Sequence, residues 1–350
     1  MFDAFRHTLA RTAQIQPDLI LIAGDLFHVV RPSNLMIQYA FREFASLRAK
    51  ITAPIVIIGG NHDSPRSVDT GCILDLFRNL QDVHVAHGEY AQVQLENLDT
   101  SVFCLCHRAL PHLSSLKIEP DPSSKHNILI AHGTVEGVIR NAYDLYEISR
   151  SQVINDDWDY LAFGHYHIFE QLAPNAFYAG SLEYTSTSIW SETSKEKGFI
   201  EYDLDDRELV AFHKTDPEPR EVVDLRPIDA ADLSAADLDL RIQHRIESIA
   251  GGHVNKILRL VVENIPRAVQ SDLDFAMVRE IRSEALHFDL QLRPPGADGR
   301  TGASAESGQA KSLEEEWGEF AESYQVPADV RRDDFASLGR DYLLAQPPVE

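Results

Sequence analysis

Cysteine is scarce in this chain, with three residues, Cys72, Cys104 and Cys106, in 350. That number and their uneven spacing exclude a disulfide framework, and Cys104-x-Cys106-His107 lacks the second half that a structural zinc site needs. They read as small buried hydrophobes. Basic charge is short as well: 32 Lys and Arg stand against 55 Asp and Glu, a formal net charge of -23. Such a chain does not grip nucleic acid by bulk electrostatics, which relies on many cationic contacts to phosphate. Any DNA contact has to be local, metal-assisted or helped by a partner. There is no run of roughly eighteen apolar residues to span a bilayer. The opening Met1-Phe2-Asp3-Ala4-Phe5-Arg6 has neither the basic start nor the apolar middle of a signal peptide. A cytoplasmic protein without membrane contact is expected. The acidic residues gather around 203–239 and 314–322 and read as solvated linker and helix faces.

What is present is a 44% hydrophobic chain with room for about two domains. The first part alternates amphipathic helices with short, continuously apolar strands, the α/β signature. Phe2, Phe5, Leu9 and Ala13 mark one face of an opening helix. Residues 18–23 (DLILIA) form a buried strand, Ser33 caps a helix carrying Met36, Ala40, Phe44 and Leu47, and 54–58 is the next strand. Further strands are expected at 83–86, 101–106, 127–131, 160–163, 176–179, 198–202 and 209–213. Helices thin out as strands crowd, which suits two packed sheets with helices outside.

A second unit spans 221–293. Leu238, Ile242, Ile246 and Ile249 repeat at helical spacing, 256–263 is strand-like, 273–281 is helical, and Phe288, Leu290 and Leu292 alternate. This is a small α+β domain. Residues 294–310 (PPGADGRTGASAESGQA) carry too little apolar surface to fold and form a linker. Beyond it, Ser312 and Glu315 make a capping box ahead of a stripe of Leu313, Trp317, Phe320 and Tyr324. Pro327 ends that helix, and Phe335, Leu338 and Tyr342 mark a second one. The two form a helical hairpin over 311–346.

Four short motifs each follow an apolar strand: Gly24-Asp25-Leu26-Phe27-His28, Gly60-Asn61-His62-Asp63, Ala131-His132-Gly133 and Gly164-His165-Tyr166-His167. A single histidine after a strand is more often a hydrogen-bonded structural residue. The set is different, because the carboxyl ends of strands in an open α/β sheet converge on one edge. Asp, Asn and several His without Cys form an oxygen-and-nitrogen ligand set suited to Mn, Fe or Zn. Two such ions about 4 Å apart activate a bridging water as hydroxide, which attacks phosphorus in line. A histidine beside a ligand but not itself bound can protonate the leaving alkoxide, the place His62 has.

On these GD, GNHD and GHxH motifs the chain resembles calcineurin-like metallophosphoesterases over about residues 1–213. The resemblance implies a four-layer sandwich of two β-sheets flanked by helices for 1–215, with 221–293 as a cap that selects substrate. It implies that Asp25 bridges two divalent metals, that Asn61, His132 and His165 complete one site, that His167 belongs to the other, and that His62 acts on the leaving group. Asp25-Leu26-Phe27-His28 followed by Arg31-Pro32-Ser33 is similar to the SbcD-type branch of DNA double-strand-break repair nucleases, in which His28 positions the substrate phosphate. Gly180-Ser181-Leu182-Glu183-Tyr184 and Lys197-Gly198-Phe199 also resemble that branch. The implied activity is metal-dependent exonuclease and endonuclease cleavage of DNA ends, with Mn2+ as the first choice of metal. The implied partner is an SbcC-like coiled-coil ATPase gripped by the C-terminal helices, and a homodimer is compatible with it.

The family opens with a strand ending in Asp-x-His, and both residues bind the metal shared with His167. Neither is in this sequence. The expectation is a start codon placed too late, so that the chain as written holds one metal tightly through four ligands and cuts DNA poorly. Two other readings stay open: a small-molecule or nucleotide phosphodiesterase on the same scaffold, favoured by the acidic charge, and an interaction subunit without activity, favoured by the absent motif.

Overall fold

The computed structural model describes residues 2–65, 71–138, 146–185, 189–193, 195–215, 220–295, 317–318, 321 and 331–344. The strands are β1 (Ile20–Ile22), β2 (Ile55–Ile58), β3 (Val83–Ala86), β4 (Ala91–Leu95), β5 (Thr100–Leu105), β6 (His126–His132), β7 (Thr134–Val135), β8 (Glu147–Ile148) and β9 (Tyr160–Gly164). They continue with β10 (Glu170–Ala173), β11 (Ala176–Tyr178), β12 (Gly198–Asp203), β13 (Glu208–Lys214), β14 (Val222–Asp229), β15 (Ile257–Glu263) and β16 (His287–Leu292). The α-helices are α1 (Phe2–Ile15), α2 (Asn34–Arg48), α3 (Arg150–Val153), α4 (Ala235–Glu247), α5 (Arg267–Ser271), α6 (Phe275–Glu284) and α7 (Arg332–Leu344).

Strands β1, β2 and β3 form a parallel sheet in that order, and a second sheet runs β10-β11-β9-β6-β5-β4. Strand β2 shows how the two meet. Side chains on a strand alternate between faces, so Ile55 and Ile57 join the core under α1 and α2 with Leu9, Phe44 and Leu47. Val56 and Ile58 enter the core of the larger sheet with Val102, Ile128 and Phe163. All four are fully buried, which is why β2 reads as an unbroken apolar run. Helix α2 begins where Ser33 predicts, its hydroxyl accepting the Met36 amide at 3.3 Å. The result is a mixed α/β structure in which α1 and α2 cover the smaller sheet, while Tyr202 and Phe212 of the β12–β13 hairpin pack on Tyr160 and Phe169 beside the larger one.

Some expectations need correction. The strand read over 18–23 is only Ile20–Ile22 and is half-buried, because Gly24 takes φ +88° and turns the chain toward the site. Five strands escaped notice, two of them the two-residue pieces β7 and β8. In β4, Gln92 and Gln94 spend their amides on Ser101 and Ser124, so its polar face looks like loop in sequence. Strand β10 is a short piece paired to β11 through an irregular register. In β14 the register slips between Leu225 and Ile228, across Pro227, so the expected alternation is broken.

Strands β14, β15 and β16 make a parallel sheet under α4 and α6. Its core is separate and holds Leu238, Ile242, Leu258, Leu260, Val262, Val278 and Phe288. Residues up to Ala297 cluster as one compact unit and Asp298–Glu350 as another. The linker and most of the first C-terminal helix lie outside the described residues. In the second unit, Trp317 donates from Nε1 to the Ala336 carbonyl at 2.9 Å and packs against Phe335 of α7, ring centroids 5.2 Å apart. Arg332 donates to the Ala321 carbonyl at 2.7 Å. No described helix is long and apolar enough to cross a membrane. All three cysteines are free and buried.

Candidate metal centre

The turn after β1 places Asp25 at φ +51°, and the turn after β9 places His165 at φ +95°. Non-glycine residues held in this region cost strain and are kept only where the surroundings fix them. Here both turns must approach each other closely. A Cβ on Gly60 would overlap Asp25 Oδ1, and one on Gly164 would overlap the Ala23 carbonyl oxygen. Glycine at these two positions therefore lets the loops after β1, β2 and β9 converge.

The convergence brings four of the expected ligands together. One ligand atom each from Asp25, His132 and His165 lies within 4.8 Å of the others. Asn61 Oδ1 sits among them, 2.9 Å from His132 Nε2 and 3.0 Å from His165 Nδ1. Asp25 Oδ1 accepts the His62 amide at 2.8 Å, and its Oδ2 lies 3.3 Å from His132 Nε2. Burial alone would raise the Asp25 carboxyl, but the His132 imidazole and the His62 amide outweigh it and bring it down to about 2.

His132 supplies the test of whether a cation suits this set. Its Nδ1 donates to the Ala23 carbonyl at 2.6 Å. In the neutral ring Nε2 then turns a lone pair toward two oxygens, those of Asn61 and Asp25. Lone pair against oxygen is repulsive unless a positive charge lies between. Burial of His132 opposes protonation first of all, yet Asp25 pulls its net shift upward, so the pocket recruits a proton where it would take a metal. The carbonyl contact to the far ring nitrogen is the usual support of a metal-binding histidine. The set thus fits a divalent transition metal.

His167 lies outside the three-residue group. Its Nδ1 is 3.8 Å from Glu192 Oε1, and its ring feels the charges of Asp25 and His165. His62 and His28 stack with ring centroids 4.9 Å apart and an interplanar angle of 17°. His28 is exposed and His62 half-buried, so the pair stands at the open side of the Asp25 loop.

Four residues near the site were not foreseen. Asp63 is fully buried and accepts the amides of Leu26 and Phe27, each at 3.0 Å, and of Gly60 at 3.4 Å. It clasps the loops that carry Asp25 and Asn61, and burial holds its carboxyl up at about 6 against those amides. His107 comes two residues past the end of β5, with its ring 6.3 Å from that of His132 and 6.5 Å from that of His165. Its position at a strand's carboxyl end was the signal that could have found it. Glu192 and Lys197 form a buried ion pair below His167. Nothing in their spacing announces a pair made across a turn.

Residues 1–169 match the family model described as calcineurin-like phosphoesterase. The chain is 25% identical over 252 residues to the DNA double-strand break repair protein Mre11 of Methanocaldococcus jannaschii, covering 67% of this chain and 65% of that protein. It is 27% identical over 267 residues to the SbcD subunit of the SbcCD nuclease of Staphylococcus epidermidis, covering 66% of this chain and 65% of that one. Against the Mre11 protein of Methanococcus maripaludis it is 27% identical over 240 residues, 63% and 61% of the two chains. The chain thus spans just under two thirds of the length of these relatives.

Proposed function

We propose, from the premise that residues 1–169 form a calcineurin-like phosphoesterase domain, that the chain is a metal-dependent DNA phosphodiesterase of the double-strand-break repair type. The observation that carries this reading is the convergence of Asp25, Asn61, His132 and His165 with the stacked His28–His62 pair beside them. The relatives carry repair-nuclease names, and Mn2+ suits the mixed oxygen and nitrogen donors.

Asp25, Asn61, His132 and His165 would hold one divalent ion, and Asp25 with His167 offers donors toward a second. A bound ion supplies Lewis-acid stabilisation of phosphoryl charge and an activated water nucleophile. The rest falls to the chain. Asp63 holds the Asp25 and Asn61 loops in register through three amides. His62 has its backbone tied to Asp25 and its ring stacked on His28, so it can deliver a proton to the leaving oxygen without taking a metal position. Exposed His28 then meets the phosphate. With a net charge of -23, the DNA strand has to be presented by a partner, for which we assign the 311–346 segment and a coiled-coil ATPase.

The test is Mn2+-dependent digestion of linear duplex DNA, run beside hydrolysis of a nucleotide phosphodiester model substrate. Slow DNA cleavage without turnover of the model ester is expected, since only Asp25 and His167 offer donors toward the second ion among the described residues. The reverse pattern would select a small-molecule phosphodiesterase, the reading the acidic charge favours. His62→Asn is expected to lower the cleavage rate by about a hundredfold while leaving Mn2+ content unchanged, the usual effect of a lost proton donor. Loss of metal in that variant would move His62 into the ligand set.

A further inference from the structure

Beneath His167 lies a buried charge pair that the cleavage chemistry does not use. Glu192 is 3% and Lys197 3% exposed, and Lys197 Nζ bonds Glu192 Oε2. The same ammonium donates to the His167 carbonyl at 2.7 Å and to Ser181 Oγ at 3.1 Å, and it sits over the Tyr184 ring at 5.0 Å. The Ser181 amide also reaches the His167 carbonyl, at 3.2 Å. The His167 backbone is therefore gripped from two sides. Its side chain faces the other oxygen of Glu192, with Nδ1 3.8 Å from Oε1. That Nδ1 is buried and has no hydrogen-bond partner among the described residues.

Taking two charges out of water is costly, and a buried ion pair often adds no stability over an apolar substitute. This pair stands at the base of one imidazole, where a fixed negative charge has a use beyond packing. An Nδ1–H dipole aimed at Glu192 is favoured, and an Nδ1 lone pair aimed there is disfavoured. At 3.8 Å the effect is electrostatic and does not need a formed hydrogen bond. In a neutral imidazole one ring nitrogen carries the proton and the other a lone pair, so the choice of tautomer decides which nitrogen can take a cation.

We infer that Glu192, held by Lys197, is a positioning residue for His167: it keeps the imidazole proton on Nδ1 and so leaves Nε2 as the nitrogen able to bind a divalent cation. The supply of Glu192 is itself fixed. It ends the 3-10 turn Ile189–Glu192, whose Trp190 lies 4.8 Å beneath the Arg259 guanidinium. The metal part of the inference rests on the proposed function; the tautomer part does not.

The two parts are separated by measuring them on different forms of the full chain. Two-bond 1H–15N correlation spectra of 15N-histidine-labelled, chelator-treated protein at about pH 8, with His167→Gln to assign the ring, read the tautomer in the neutral form. The wild type is expected to show Nδ1–H for His167, and Glu192→Gln to shift it toward Nε2–H, the form favoured by a ring without that neighbour. Lys197→Met removes the holder and is expected to shift the tautomer partway. Should Glu192→Gln fail to fold, the charge-free double variant Glu192→Gln with Lys197→Met replaces it and is expected to give the same shift. A wild-type ring protonated on Nε2, or a tautomer unmoved in the variant that folds, overturns the inference. Mn2+ titration then tests the ligand role: affinity for a second ion is expected to fall about tenfold to a hundredfold in Glu192→Gln. A shifted tautomer with unchanged Mn2+ binding upholds the positioning and rejects His167 as a ligand.

Discussion

The region up to Lys214 and the β14–β16 region both build parallel sheets with helices packed on them, yet only the first puts charge inside. Buried Asp63, His132, Glu192 and Lys197 all belong to it, whereas the described buried side chains of 222–292 are apolar. Both regions also hold non-glycine residues at positive φ. In the first these include Asp25 and His165, and in the second they are Asn255 and Asn264, residues that tolerate that conformation in ordinary turns. The carboxyl edge of a parallel sheet is thus an opportunity for a site and does not make one. What makes one is the close approach of several loops and the polar groups placed to use it.

The sharpest way to break this comparison is to add one methyl group on each side of it. Gly164→Ala would drive its Cβ into the Ala23 carbonyl, the same carbonyl that orients His132. Mn2+ binding is expected to fall below detection, with unfolding at a lower urea concentration. Gly252, at φ +77° with open space around its Cα, is the control in the other region. Gly252→Ala is expected to cost about 1 kcal/mol of backbone strain and to leave metal binding untouched. Retention of Mn2+ by Gly164→Ala would show that the loops do not need to touch.

A second test reverses the direction. Leu258 of β15 is fully buried in the separate core of the α+β region. Leu258→Ala is expected to lower unfolding free energy by about 2–5 kcal/mol through lost burial and the cavity left behind. Its Mn2+ isotherm is expected to match the wild type. A parallel loss of metal binding in the folded variant would mean that the two regions share more than their boundary.

How much of this could be read in the sequence follows from the same contrast. Asp25, Asn61, His132 and His165 each stand at or just past the carboxyl end of a strand, so the rule that strand ends converge was enough to gather them. The α2 cap at Ser33 and the α4 stripe of Leu238, Ile242 and Ile246 were legible because capping and helical spacing are local. Asp63 was visible as a letter of its motif but not as a clasp, since its partners Leu26 and Phe27 lie 37 and 36 residues away. Glu192 and Lys197 are near in sequence, but their meaning lies at His167, 30 residues from Lys197. Strand β14 was lost to Pro227 and a slipped register. What periodicity shows is which face is apolar; what it cannot show is which polar groups meet after the chain has turned.

The smallest expected effect lies at a side chain that touches both regions. Arg259 of β15 holds Asp224 of β14 with two hydrogen bonds, Nε at 2.8 Å and Nη2 at 2.5 Å, and lays its guanidinium over Trp190 of the first region. The pair is partly open to solvent, at 22% and 30% side-chain exposure, so screening keeps its value to about 1 kcal/mol or less. The stacking on Trp190 adds roughly 0.5–1 kcal/mol. Arg259→Ala is therefore expected to cost about 1–2 kcal/mol in urea unfolding. Arg259→Lys should recover only part of it, because an ammonium keeps the charge but neither the paired geometry nor the flat stacking surface. Mn2+ affinity decides how the regions are joined. If the contact is only adhesive, both variants bind metal as the wild type does, and the comparison of a chemical and a packing region holds without exception. If the turn from Trp190 to Glu192 shifts when its lid is removed, affinity falls in Arg259→Ala and partly returns in Arg259→Lys, and the α+β region then acts on the site through one residue.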